Sequence, residues 1–274
     1  MQTSLERFVA IDWSGAQSVA EQRRRIVIAD WNAGRITLSA GRTREEITVW
    51  LIEQSVRTPA MVVGMDFSFS LPAWFVGACG AATIEEFWRY ASQHGETWLN
   101  NCDPPFWGRT AKRCPPDHRA PAQLGYRRCE LPPVISWHPK STFQIGGAGA
   151  VGTGSLRGIA TLLALRRAGF SVWPFHTVTW PCVVEIYPRS FTGAVRKSSE
   201  AARASYLQEN LTKALSDEVK ELAVASEDAF DALCSVVGMV RQHEDFMQLE
   251  RASDAPRLIE GDIFPGRPIS LPVE

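Results

Sequence analysis

The sequence predicts an α/β fold, and two patterns carry that prediction. Three strand-length apolar runs, a capped helix and a fourth apolar run open the chain, and helix–strand alternation resumes in its second half. Arg7-Phe-Val-Ala-Ile-Asp12 reads as a short buried strand ending in an acid. Residues 24–29 and 35–38 read as the next two strands, with Asn32-Ala-Gly34 as the turn between them. Thr43-Arg-Glu-Glu46 has capping-box spacing, so the hydroxyl and the carboxylate can each satisfy the other's backbone N–H. Ile47, Leu51 and Ile52 then supply the apolar stripe of a helix. Pro59 separates this helix from Met61-Val-Val-Gly-Met65, a fourth strand that again runs into an acid, Asp66. Further on, a helix is predicted over about 155–168, closed by Gly169 as its cap. Strands at about 171–175 and 183–187 follow, then helices at about 199–215 and 227–239.

Composition narrows the class of protein. A chain of 274 residues, 45% hydrophobic and 22% charged, buries enough surface to hold a core without disulfides or metal. Its 29 Lys and Arg nearly balance 30 Asp and Glu, for a net charge of −1. That excludes a histone-like polycation but leaves room for a local nucleic-acid groove, because steering depends on where charges sit. The first residues lack a basic stretch followed by an apolar one, so no secretory signal is expected. The uncharged stretch 67–84 is broken by Ser68, Ser70, Pro72, Gly77 and Gly80, so no membrane span is expected. Six cysteines lie far apart with no CxxC, which reads as a reduced, cytoplasmic protein.

The middle of the chain changes character. Eight of the 17 prolines fall between Pro104 and Pro139, a density that forbids long helices and central strands. Residues 95–145 are therefore expected as an insertion within one domain spanning 1–274. Arg109, Lys112, Arg113, Arg127 and Arg128 stand there with Phe106, Trp107, Tyr126 and Trp137, the make-up of a surface that binds single-stranded nucleic acid. The same make-up also serves solvated loops and protein contacts.

Five acids are candidates for chemistry. Asp12 and Asp66 stand at strand ends, where open α/β sheets place their sites. Glu185 lies inside the apolar run Val183-Val-Glu-Ile-Tyr187, where a charge is rare unless paired. Asp228 and Asp231, at i and i+3, share one face of a helix. Carboxylates that converge repel one another, and oxygen-only clusters suit a hard cation such as Mg²⁺ or Mn²⁺. Each acid also has an ordinary reading. Asp12 and Asp66 can start turns, and Asp228 can answer the helix dipole after Ser226.

The segments Val9-Ala-Ile-Asp12-Trp-Ser-Gly, Val62-Val-Gly-Met-Asp66-Phe-Ser, Val184-Glu-Ile-Tyr-Pro188 and Asp228-Ala-Phe-Asp231-Ala together resemble domain-of-unknown-function family 429. Members of that family are described as predicted nucleases of RNase H-like fold. The resemblance runs from about Phe8 to Phe264. It implies a mixed sheet of three antiparallel strands plus parallel ones, flanked by helices. The acids also resemble those of the RuvC-type Holliday-junction resolvases. By that likeness Asp12 anchors metal, Asp66 binds a second position and Asp228 or Asp231 completes the site. The chain differs from the resolvases in having Asp66 where they carry Glu, and in Glu185. The implied activity is hydrolysis of phosphodiesters by a carboxylate-held two-metal site, with Asp12, Asp66, Glu185, Asp228 and Asp231 as catalytic and metal-binding residues and nucleic acid as partner.

Two readings stand beside it. In an actin- or sugar-kinase-like nucleotide-binding protein, Asp12-Trp-Ser-Gly15 and the glycines of 146–154 would be phosphate loops. In a non-catalytic binding module, the basic insert would hold nucleic acid or protein and the acids would be structural. Gly147-Ala-Gly149-Ala-Val-Gly152 matches GxGxxG, but no acid follows at the distance a dinucleotide site needs. Cys102, Cys114, His118 and Cys129 match no standard zinc spacing. His138 and His176 have no evident Ser or Cys partner for a catalytic triad.

Overall fold

The computed structural model describes residues 4–109, 111–119, 122–132, 139–211 and 215–269. In chain order the elements are β1 (Arg7–Asp12), α1 (Val19–Arg25), β2 (Val27–Asn32), β3 (Arg35–Ser39), α2 (Arg44–Arg57), β4 (Met61–Met65), α3 (Ala73–Ala78) and α4 (Ile84–Asn101). There follow α5 (Val151–Arg167), β5 (Ser171–Val172), β6 (Cys182–Glu185), α6 (Pro188–Thr192), α7 (Glu200–Asn210), α8 (Asp217–Ala225), α9 (Glu227–Arg241), α10 (His243–Met247) and α11 (Ala255–Glu260). One six-stranded sheet has the order β3-β2-β1-β4-β6-β5. The β1–β2 and β2–β3 pairs are antiparallel, and β1–β4, β4–β6 and β5–β6 are parallel. Helices cover both faces. This is the mixed, RNase H-like layout that the sequence predicts.

Strand alternation sorts the core into two layers. Successive side chains point to opposite faces. Ile11, Met65 and Val183 face one way, against α2, α4 and α5 through Leu51, Trp88 and Ile159. Ala10, Val62 and Val184 face the other way, against α6 to α9 through Phe191, Leu207, Val219 and Phe230. The aromatic residues Phe106 and Phe143, from the proline-rich segment, are buried in the first layer.

Local chemistry explains where the elements start. The predicted capping box is present: the Thr43 hydroxyl accepts from the Glu46 N–H while the Glu46 carboxylate accepts from the Thr43 N–H. Residues 24 and 25, predicted as strand, instead finish α1. Ser18 caps that helix, and Arg23, Arg24 and Arg25 fill its last turn, where cations favour the dipole. The predicted strand at 171–175 stops after Val172, because Pro174 offers no N–H to a ladder. Helix α5 opens at Val151, four residues ahead of its predicted start, and Gly169 follows its end at φ +97°. Helices α4 and α8 were not predicted. Each has an N-cap signal, Thr83 with Glu86 for α4 and Ser216 for α8.

Candidate active site

The parallel pairing of β1 with β4 sets up the site. Ile11 is level with Met65, and the Asp66 N–H donates to the Ile11 carbonyl at 3.1 Å. Asp12 and Asp66 are therefore neighbours on adjacent strand ends, with backbones about 5 Å apart. Alternation points both toward the face that α9 covers. Helix α9 lies across β1 and β2, and it brings Asp231, buried, and Asp228, half-buried, to the same edge.

Four carboxylates crowded there disturb one another's ionisation. Burial, then the charges of Asp66, Asp231 and Asp228, hold Asp12 well above the usual carboxylate range, against the pull of Lys197. Burial and Asp231 push Asp66 up to about 7. Burial raises Asp231 to about 6 in spite of Lys197. Asp228 is raised by burial and by Glu227 beside it, while Arg25 and Arg24 oppose the rise.

The positive charge at this centre comes from Lys197. Its ammonium pairs with Asp231 Oδ2. Burial works against its charge, but Asp231, Asp66 and Asp12 outweigh that and hold its pKa above the ordinary value. Nothing in Ala194-Val-Arg-Lys-Ser-Ser199 marks Lys197 in the sequence, which reads as solvated loop. The other carboxylate oxygen of Asp231, Oδ1, is buried and accepts no hydrogen bond. An orphaned buried anionic oxygen is costly. Together with the oxygen-only donors around it, it fits a hard divalent cation. Among the described residues, however, no three His, Cys, Asp or Glu side chains are drawn into a ready-made coordination sphere.

Glu185 is not on the face that α9 covers, although its charge adds to the rise of Asp66 and both line one cavity. It is level with Met65 on β6, so it projects from the opposite face of the sheet to Asp12 and Asp66. There Arg127, fully buried, donates to Glu185 Oε2 at 2.8 Å and Oε1 at 2.5 Å. The Phe69 N–H adds a bond to Oε2 at 2.9 Å. Burial raises the Glu185 pKa and Arg127 pulls it back. The same guanidinium donates to Glu130 Oε1 at 2.9 Å, Ser68 Oγ at 3.1 Å and the Glu260 carbonyl at 3.0 Å. Glu185, expected as a metal ligand, is thus half of a closed ion pair. Arg127, expected to touch substrate, is its other half.

The remaining basic residues divide. Arg109 spends its guanidinium on the Ile145 and Leu99 carbonyls, both at 2.8 Å, and Lys112 on the Asn101 carbonyl and Asp103, both at 3.0 Å. Both hold the segment's own shape. Arg113 and Arg128 are exposed, Arg128 lying 3.7 Å from Asp254. Trp137 and His138 lie outside the described residues.

A cavity of about 310 Å³ adjoins Asp66, with Trp13, Phe67, Lys140, Gly149 and Tyr187 among its walls. The glycine-rich entry to α5 forms one side. A Cβ at Gly15 would fall 2.5 Å from the Gly154 nitrogen, so the loop after β1 packs directly on that helix. The N–H groups of Val151, Gly152 and Thr153 are bonded to the Gly149, Gln144 and Ala150 carbonyls. Those glycines therefore serve close packing, and the helix entry has little left with which to cradle a phosphate. All six cysteines are free thiols. No helix among the described residues is long and apolar enough to cross a membrane.

No family model, curated protein or solved structure matches this chain.

Proposed function

We propose that the chain is a metal-dependent phosphodiesterase or nuclease whose centre is Asp12, Asp66 and Asp231, with Asp228 at its margin. The observation that carries this reading is the orphaned Oδ1 of Asp231, buried beside two further carboxylates on one face of the sheet. Carboxylates gathered at strand ends without enough cations to neutralise them are placed for a ligand of positive charge. Mg²⁺ or Mn²⁺ bound there supplies a polarised phosphoryl oxygen and an activated water for in-line hydrolysis. The protein's own part is to hold these acids on rigid strands and a packed helix. The resemblance of the four acid-bearing segments to a family of predicted nucleases points the same way. Nucleic acid is the proposed substrate, with the cavity beside Asp66 receiving the portion that flanks the scissile phosphate.

The nucleotide-binding alternative is weakened by the spent N–H groups at the start of α5. A purely structural role for the acids leaves the unpaired oxygen of Asp231 without a reason.

The test compares wild type with Asp12→Asn on a panel of single-stranded, double-stranded and branched DNA and RNA, with Mn²⁺ or Mg²⁺ supplied. Expected is a loss of more than about 10²-fold in rate, since even outer-shell metal partners are worth 10–100-fold, with an unchanged circular dichroism spectrum. Equal cleavage by the two proteins would sink the assignment.

A further inference from the structure

We propose that Lys197 is a built-in cation of the carboxylate centre, standing in for one metal ion of a pair, so that the chain binds a single divalent cation there. This inference rests on the metal-dependent reading above and specifies how many ions that reading requires.

The first argument is that Lys197 is held in place by machinery of its own. The loop that carries it leaves α6 through Gly193, at φ +65°. Arg189 donates to the Val195 carbonyl at 2.8 Å, and the Lys197 N–H closes a turn on that same carbonyl at 3.0 Å. Arg203, a buried residue of α7, donates to the Lys197 carbonyl at 2.5 Å. The remaining arms of Arg203 reach the Val224 carbonyl at the end of α8, at 2.9 Å and 2.5 Å. Two arginines thus clamp the backbone on either side of one lysine. A long side chain on a solvated loop would lose its ordering entropy for little return. Here the ammonium is partly buried and pairs with Asp231, near enough to Asp66 and Asp12 to feel their charges.

The second argument is electrostatic balance. Charges in a site of low dielectric must be nearly neutralised, because each uncompensated one costs several kcal/mol. Asp12, Asp66 and Asp231 are the acids nearest the ammonium's charge, whereas Asp228, half-buried, also lies within reach of Arg24 and Arg25. One ammonium and one divalent cation match three carboxylate charges. A second divalent cation would leave the pocket positive unless a substrate phosphate accompanied it. The division of oxygens agrees: Oδ2 of Asp231 is taken by the ammonium and Oδ1 is open.

The test counts ions on the full chain without substrate, by isothermal calorimetry with Mn²⁺ and by the loss of the free Mn²⁺ paramagnetic resonance signal. Wild type is expected to bind one Mn²⁺, Lys197→Arg one, and Lys197→Met two. Without the ammonium, Asp228, whose charge already acts on Asp12, joins the other three, and four carboxylates match two divalent cations. Lys197→Gln keeps a donor for Asp231 while removing the charge, and it replaces the Met variant if that one does not fold. Two ions on wild type, or one on the uncharged variants, would overturn the inference while leaving metal-dependent hydrolysis standing. No Mn²⁺ bound to wild type would overturn both. A lysine with a merely structural role would alter the melting temperature and leave the ion count as it is.

Discussion

Two clusters of acids lie at the same end of the sheet, on opposite faces, and one cavity touches both through Asp66 and Glu185. On one face the carboxylates of Glu185 and Glu130, with Ser68 and the Glu260 carbonyl, surround Arg127, and every guanidinium arm is spent at 2.5 to 3.1 Å. On the other, Asp12, Asp66, Asp228 and Asp231 have one lysine among them, and an oxygen of Asp231 stays unpaired. The first cluster is finished and works as a fastener. It ties the proline-rich segment, through Arg127, to β6 and to the end of α11. The second has more carboxylates than cations, and in the metal-free protein the shortfall is met by holding protons. Acids that look alike in sequence thus differ in whether a guanidinium reaches them.

Removing the fastener should have the largest effect. Arg127→Met leaves Glu185 and Glu130 buried without a counter-ion and is expected to cost about 3–5 kcal/mol, measured by urea denaturation. A loss below about 1 kcal/mol would show that the two clusters are not so different. The open cluster should respond in the opposite direction. The Asp66 carboxyl is held up at about 7 in the folded protein, against 3.8 for the unreacted group. Between those values the folded chain holds a proton that the unfolded chain has released. Metal-free stability is therefore present at low pH and lost as pH rises through about 7. Asp66→Asn should flatten that decline and stabilise the metal-free protein at pH 8 by more than about 1 kcal/mol, read from melts at a series of pH values. A variant that is less stable than wild type at pH 8 would contradict the strained cluster. The smallest effect belongs to the surface. Arg113→Ala and Arg128→Ala should leave stability within about 0.5 kcal/mol. If these residues touch phosphate, each should lower the salt slope of nucleic-acid binding by about one. An unchanged slope would place the binding surface elsewhere.

Much of the fold was legible because its signals are local. The apolar runs around Ile11 and Val63 and the Thr43–Glu46 cap are written within a few residues, and each appears where expected. The proximity of Asp12, Asp66 and Asp231 needed more, the parallel pairing of β1 with β4 and the placement of α9 across β1. Other parts needed tertiary information. Glu185 reads as one of five candidate ligands until the register with Met65 shows which face it takes. Alternation from Val183 contained that clue, but only the strand pairing makes it decisive. Arg127 and Arg128 are adjacent in sequence, yet one is sealed inside and the other is in solvent. Lys197 was invisible, because its role depends on clamps from Arg189 and Arg203 and on an acid from a distant helix.

The chain supplies its candidate site in widely spaced instalments, from β1, from β4, from the loop after α6 and finally from α9. During synthesis on the ribosome, Asp12 and Asp66 emerge early and remain an incomplete pair while most of the polypeptide is still to be made. Helix α9 brings Asp231 together with Phe230, Leu233 and Val236, which fill the middle of one layer of the core before Phe246 and Phe264 complete it. Asp231 therefore reaches the site on the same helix that buries the centre of that layer. A nascent or truncated chain that stops short of α9 lacks both Asp231 and the helix that packs across β1 and β2.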